Sequence, residues 1–346
     1  MEDVEHLILG AGPAGLRAAQ VLAEAGREVL VLEKRPEIGP KTCAGGLTLK
    51  TMLELRPLGL PPEATLASVG HVAFAGGRAV VLDPEATLVH TIARRELGRY
   101  QLQWACAAGA TVRAGVPATA IDLRERTVSA AGRRIRWRHL IGADGADSAV
   151  RRALGLPSPR AYFAAEYNLP GLRLEPLRIE CDPGAIANGY FWVFPHAAYT
   201  SVGAVAPKRL VAPAALRRYL DHRCDGLGAA RVGVPFEGAS LEVACHGFHF
   251  AGGVHLAGDA AGVISSLTAE GIYAALVTGE EVARSILEPG APAPKTASWL
   301  RTKRWHDGLA HWLARPATRD LTLRAFAKIG ETRWLRRPLA SWLLRG

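Results

Sequence analysis

Val4-Glu5-His6-Leu7-Ile8-Leu9-Gly10-Ala11-Gly12-Pro13-Ala14-Gly15 opens the chain almost at once and decides its fold. Val4 to Leu9 reads as a short buried strand, the glycines as a tight turn, and Leu16 to Glu24 as a helix. Gly26 stops that helix, and Val29 to Leu32 forms a second strand that ends in Glu33, with Lys34 beside it. This is a βαβ unit of dinucleotide-binding length. Gly10, Gly12 and Gly15, with Pro13 and Ala14 between them, let main-chain amides and the positive end of the helix approach a pyrophosphate. Glu33 falls about 20 residues on, where a carboxylate accepts from ribose hydroxyls.

Two further turns follow buried strands. Ile141-Gly142-Ala143-Asp144-Gly145 leads into Ser148 and Arg151 at a helix start, an arrangement suited to bracing a pyrophosphate. Leu256-Ala257-Gly258-Asp259 places a carboxylate where a strand ends, able to hydrogen-bond a sugar-alcohol chain. Ten residues later Glu270-Gly271-Ile272 opens a long helix reaching about Leu287, whose amides suit negative charge on a reduced flavin's pyrimidine edge. Alone, either Asp turn is equally an ordinary turn.

In this order and spacing the three turns resemble the FAD-dependent oxidoreductases of the para-hydroxybenzoate hydroxylase fold, over roughly residues 4 to 290. The resemblance implies FAD as cofactor and a flavin-side arginine at Arg94, with Arg95 the alternative. Lys41-Thr42-Cys43-Ala44-Gly45-Gly46-Leu47 resembles the Cys-Gly-Gly-Gly-Leu loop of the geranylgeranyl reductases, with Ala44 departing. Tyr190-Phe191-Trp192-Val193-Phe194-Pro195 is similar to their Tyr-x-Trp-x-Phe-Pro motif. Ala187 stands where they carry a proline, and Gly203-Ala204-Val205 keeps half of a Gly-x-Gly. The implied activity is hydride transfer from reduced flavin to prenyl double bonds. The alternative is a monooxygenase acting on an aromatic molecule or a protein side chain, and a third reading is a flavin-bearing docking protein. The electron donor is reduced nicotinamide (NADPH or NADH) or another carrier, since only one dinucleotide fingerprint is legible.

Period-two spacing puts Tyr190, Trp192 and Phe194 on one strand face, as a flat aromatic wall or as ordinary core. Cys43 is either a proton donor facing the flavin or a small buried thiol. With Tyr190 and Trp192 it completes the candidate catalytic set. Cys43, Cys106, Cys181, Cys224 and Cys245 have neither zinc spacing nor a CxxC pair, so no metal or disulfide mechanism is expected.

The expected architecture is α/β: a three-layer Rossmann-like FAD domain from residues 1–67, 92–157 and 246–290. A mostly antiparallel substrate sheet (68–91 and 158–245, with a Gly76-Gly77 hairpin turn) is inserted, and a helical tail (291–346) follows a proline linker. At 49% hydrophobic and 21% charged, the chain is ordinary globular stock rather than disordered. Its net charge of +10 sits mostly after Lys295, where twelve Lys and Arg face three acids. Trp305, Leu309, Trp312 and Leu313 share a helical face there, flanked by Arg301, Lys303, Arg304 and Arg315. That pattern suits either a helix lying on an anionic membrane or a soluble cap. No nucleic-acid motif accompanies it. The acidic start and the lack of a long charge-free stretch predict a cytoplasmic protein, at most peripheral at the inner membrane face.

Overall fold

The computed structural model describes residues 1–68, 70–74, 78–81, 89–159 and 161–332. Strand β1 (Glu2–Leu9), helix α1 (Pro13–Glu24) and strand β2 (Val29–Glu33) form the opening unit. The helix starts at Pro13 rather than Leu16. A proline at the first helical position gives up an amide that would have no intrahelical partner, so the turn feeds straight into the helix.

β1 lies at the centre of the larger sheet, parallel to β2 on one side and to Arg133–Gly142 on the other. Val254–Leu256 adds beyond the latter and Thr111–Ala114 beyond β2, both parallel. Alternation divides the apolar residues between two faces. Ile8, Val29, Val31 and Ile141 pack under α1 and the helix Ile272–Leu287. Leu7, Leu9, Leu30 and Leu32 pack on the other side with Trp299.

The second sheet is mostly antiparallel, in the order Glu237–Glu242, Ala161–Pro170, Tyr199–Pro207, Tyr190–Pro195, Leu177–Glu180, Gly70–Phe74, Arg78–Val81. Phe191, Val193 and Val202 bury one face against Leu216 and Leu220 of the helix Pro213–Gly226. Trp192 and Phe194 cover the opposite face. Between Leu177–Glu180 and Tyr190–Pro195 the chain makes a one-turn helix at Pro183–Ile186, capped by Asp182. The Gly76-Gly77 turn lies outside the described residues.

The proline-rich stretch is less of a linker than its composition suggests, because Pro294 already opens the helix Pro294–Leu313. Its residues Trp299, Lys303, His306, Ala310 and Leu313 are buried at three- and four-residue spacing, docking it on the body of the protein. The tryptophan stripe therefore divides. Trp305 and Trp312 are 73% and 58% exposed, Leu309 is half-buried, and Leu313 is buried. Lys303 does not flank a solvent face. It is buried, donating to the Val243 carbonyl at 2.6 Å and to Asp307 at 2.8 Å. Trp334 and Trp342 lie outside the described residues.

Candidate active site

The three turns meet in one cleft of about 470 Å³. Gly10, Gly12, Pro13, Ala14, Glu33, Lys34, Arg94, Asp144 and Asp259 line it. Gly10 sits at φ +103°, and a Cβ there would come within 2.3 Å of the Ala143 carbonyl oxygen, so only glycine permits the first two turns to touch. Gly12, the residue capping α1, has open space where a side chain would go. Gly15 and Gly258 stand behind the lining and serve close packing; a Cβ on Gly258 would lie 2.8 Å from that of Ala14. Glu33 accepts from the Ala11 amide at 2.8 Å and the Arg35 amide at 2.9 Å, which holds the first turn against β2 and leaves its carboxylate acceptor capacity to spare.

Asp144 accepts from the Ala149 amide at 2.6 Å through Oδ2, while its buried Oδ1 has no partner among the described residues. Burial raises its carboxyl above the ordinary range, against hydrogen bonds that pull it back. Arg94 opens the helix Arg94–Ala107, is buried, and has an unpartnered Nε. Arg95 instead points outward and pairs with Glu37, so Arg94 is the one that faces the cleft. Two unpartnered buried polar atoms on residues of the lining, and a glycine whose missing side chain leaves room, fit a polar ligand of dinucleotide type. Arg151 departs from expectation. Its guanidinium donates to the Ala146 and Ala260 carbonyls inside the protein, tying the second turn to the third rather than meeting a ligand. Lys41 reaches across to Asp259 at 2.5 Å, an ion pair that sequence reading did not anticipate.

The chain passes directly from this cleft into a second, apolar cavity of about 270 Å³: Lys41 lines the first and Thr42 the second. Cys43, Tyr190, Trp192, Phe194, Gly271 and Ile272 line it, so the three candidate catalytic residues share one space with the start of the helix Ile272–Leu287. Leu309, Leu313 and Leu323 of the C-terminal helices close it. Tyr190 donates to the Thr268 carbonyl at 2.8 Å, and burial pushes its hydroxyl far up, which makes it a fixed protonated wall.

Glu166, 1% exposed, holds the Cys43 loop and was missed from sequence because a lone carboxylate in an apolar strand carries no motif. It accepts from the Cys43 amide and from Ser201 Oγ, both at 2.8 Å; Ser201 in turn accepts from Trp192 Nε1 at 2.9 Å. On the other side, His196 Nε2 donates to the Ala44 carbonyl at 3.0 Å. The legible signal was an ionisable residue inside a buried run.

Residues 3–209 match the family model described as FAD binding domain. The chain is 30% identical to digeranylgeranylglycerophospholipid reductase 1 of Methanopyrus kandleri, over 88% of this chain and 85% of the relative. It is 31% identical to a menaquinone reductase of Mycobacterium tuberculosis, over 80% and 75%. Its fold superposes on a geranylgeranyl bacteriochlorophyll reductase-like protein of Thermoplasma acidophilum with a TM-score of 0.80 at 22% identity, covering 99% and 96% of the two chains. The fold and cleft define an FAD-binding oxidoreductase. Within that class, the chain belongs to the geranylgeranyl reductase family of FAD-dependent oxidoreductases.

Gly12→Val is expected to leave the urea midpoint of the FAD-free protein unchanged, because nothing lies within 4 Å of the new Cβ. FAD affinity, measured by calorimetric titration, should fall at least roughly a hundredfold. Unchanged affinity would mean that the cleft does not hold a pyrophosphate at this turn.

Glu166 yields a pH prediction. Burial raises its carboxyl from 4.5 to about 7, outweighing the Cys43 and Ser201 hydrogen bonds. The folded state therefore keeps a proton that the unfolded chain releases, and stability falls as pH rises from about 4.5 to about 7. At 1.36 kcal/mol per unit the loss is on the order of 3 kcal/mol. Urea unfolding of wild type and Glu166→Gln at both ends of this range should show the difference in the wild type alone. An equal slope in both proteins would contradict it.

Proposed function

We propose that the chain reduces carbon–carbon double bonds of a prenyl substrate, taking the hydride from reduced FAD. The observation that carries this reading is the apolar, aromatic-walled cavity that begins where the nucleotide cleft ends. An alkene has no polar handle, so only shape and burial can hold it. Names of relatives support the same reading, since two of them are prenyl-lipid or quinone reductases.

Nucleotide binding is assigned to residues 1–67, 92–157 and 246–290, with Gly10, Gly12, Pro13 and Ala14 at the pyrophosphate and Gly15 packed behind them. Glu33 and Lys34 hold the ribose end, Arg94, Asp144 and Asp259 the middle with Gly258 packed behind, and Gly271 and Ile272 the flavin ring. Residues 68–91 and 158–245 hold the substrate. Bound there, FAD reduced by a nicotinamide or another transient carrier supplies the hydride. Tyr190, Trp192 and Phe194 exclude water and present π-faces that steady positive character on a carbon being protonated. Cys43, fixed by Glu166 on one side and by Gly45 N–H to its sulfur on the other, forms the wall beside the cleft.

The deciding experiment mixes anaerobically reduced holoenzyme with geranylgeranyl diphosphate, digeranylgeranylglycerophospholipid or menaquinone and follows flavin reoxidation and product mass. Reoxidation with a gain of two hydrogens by one of them is expected. No reaction with any, together with a hydroperoxyflavin absorbance when oxygen is admitted, would favour the monooxygenase alternative acting on an aromatic substrate.

We also infer that the helix Pro294–Leu313 rests on an anionic membrane surface. It exposes Trp305 and Trp312 among Arg301, Arg304 and Arg315, while its Leu309 and Leu313 reach the cavity. No helix among the described residues is long and apolar enough to cross a membrane. The wild type should co-sediment with anionic vesicles and be released by salt, and Trp305→Ala/Trp312→Ala should remain in the supernatant. Equal partition of both proteins would remove this surface from the account.

A further inference from the structure

A charged pair, Glu270 and Lys50, stands at the edge of the apolar cavity. Glu270 lines the cavity and immediately precedes Gly271. A Cβ on Gly271 would lie 3.5 Å from Asp259 Oδ1, so Glu270 stands at the passage between the cavity and the third nucleotide turn. Its Oε1 accepts from Thr48 Oγ1 at 2.7 Å, and its Oε2 lies 3.0 Å from Lys50 Nζ.

Lys50 is held in an unusual way. Its side chain is 11% exposed, its ammonium lies 4.4 Å from the Trp299 ring centre and 5.0 Å from that of Tyr273, and Glu270 supplies its only ion pair among the described residues. Such a pair is costly to bury if anchoring is its sole use, since apolar residues of the same volume hold a helix at least as well. A carboxyl lining a mostly apolar, alkene-sized cavity is placed for proton transfer.

We propose that Glu270 is the acid that protonates the substrate double bond, with Lys50 as the counter-charge that positions it. This rests on the double-bond reduction proposed above. The hydride given up by the reduced flavin brings its electron pair to one new C–H bond. The alkene π pair makes the second, with the proton released as the Glu270 O–H bond breaks. The flavin is thereby oxidised, and the alkene reduced, by two electrons. The Glu270 carboxylate, paired with Lys50, then takes its proton back from water.

The surroundings fit this proton inventory. Burial raises the Glu270 carboxyl above the usual range, and the Lys50 charge and the Thr48 hydroxyl pull it back. Arg319 also lines the cavity and Asp259, paired with Lys41, lies beyond Gly271, while His306, Tyr273 and Tyr190 are uncharged at neutral pH. Burial drives His306 down to about 4, Tyr273 up to about 12, and Tyr190 up as well. Tyr190 is thus a poor proton donor, and its hydroxyl is already committed to the Thr268 carbonyl.

The test uses FAD-loaded, anaerobically reduced enzyme in single turnover with whichever probe of the earlier panel the wild type reduces. Glu270→Gln should slow flavin reoxidation at least roughly a hundredfold, the usual worth of a general acid. The rates are compared at full flavin occupancy, established by separate FAD titration of each protein. The wild-type rate should fall as pH rises through the Glu270 titration. Lys50→Met, lacking the ammonium that favours the carboxylate, should move that fall to higher pH. A protonated-carboxyl infrared band should titrate with the same limb and be missing from Glu270→Gln. Should Glu270→Gln fail to load flavin, Glu270→Asp is expected to keep the limb at a reduced rate. Wild-type speed in Glu270→Gln, or a limb unmoved in Lys50→Met, overturns the assignment while leaving the reductase reading intact. A wild type that reduces none of the probes overturns that reading and this proposal together.

Discussion

The register of three parallel strands is the constraint on which everything else depends. Leu9 stands opposite Gly142, and Gly142 opposite Leu256, so three strands far apart in sequence end side by side. The hydrogen bonds carry on past the strand ends. Ala143 N donates to the Leu9 carbonyl at 2.8 Å, and Ala257 N to the Gly142 carbonyl at 3.0 Å. The three turns therefore begin at one level. A slip of one residue would turn every side chain to the opposite face and scatter them. Gly10 lets the first turn pass over the second, and Arg151, bound to carbonyls of the second and third, locks them from within.

From that shared edge the substrate side follows by geometry. The segment Lys41 to Gly46 leaves the cleft and enters the cavity within a few residues, so whatever fixes this loop fixes the distance between nucleotide and substrate. The buried carboxylate of Glu166 does so through the Cys43 amide, and His196 through the Ala44 carbonyl. Ser201 extends the same network to Trp192. Loop and aromatic wall are thus parts of one polar scaffold hidden behind an apolar lining. A fully satisfied network of this kind makes a cavity rigid without making its surface wet.

How much of this was legible depended on range. The turns at 10–15, 143–147 and 258–262 were readable because strand, glycine and carboxylate are adjacent in the chain. The face shared by Tyr190, Trp192 and Phe194 was readable because period two is a local property. Contacts that join distant segments were not: Glu166 meets Cys43 across 123 residues, and Glu270 meets Thr48 across 222. The choice between Arg94 and Arg95 also needed the fold, since two neighbouring arginines differ only in which way the helix start faces. In the tail, spacing gave the stripe of Trp305, Leu309, Trp312 and Leu313 but not which helix face is buried. Leu313 sank into the body with a neighbouring face of Trp299, Lys303, His306 and Ala310, while Trp305 and Trp312 did not.

The most direct measurement is a crystal structure of the protein grown with FAD. Density for the pyrophosphate is expected at Gly12, with the isoalloxazine lying at Gly271 where the cleft opens into the cavity, between the Cys43 loop and Glu270. Density for the flavin ring anywhere else, or an empty cleft at saturating FAD, would contradict this placement.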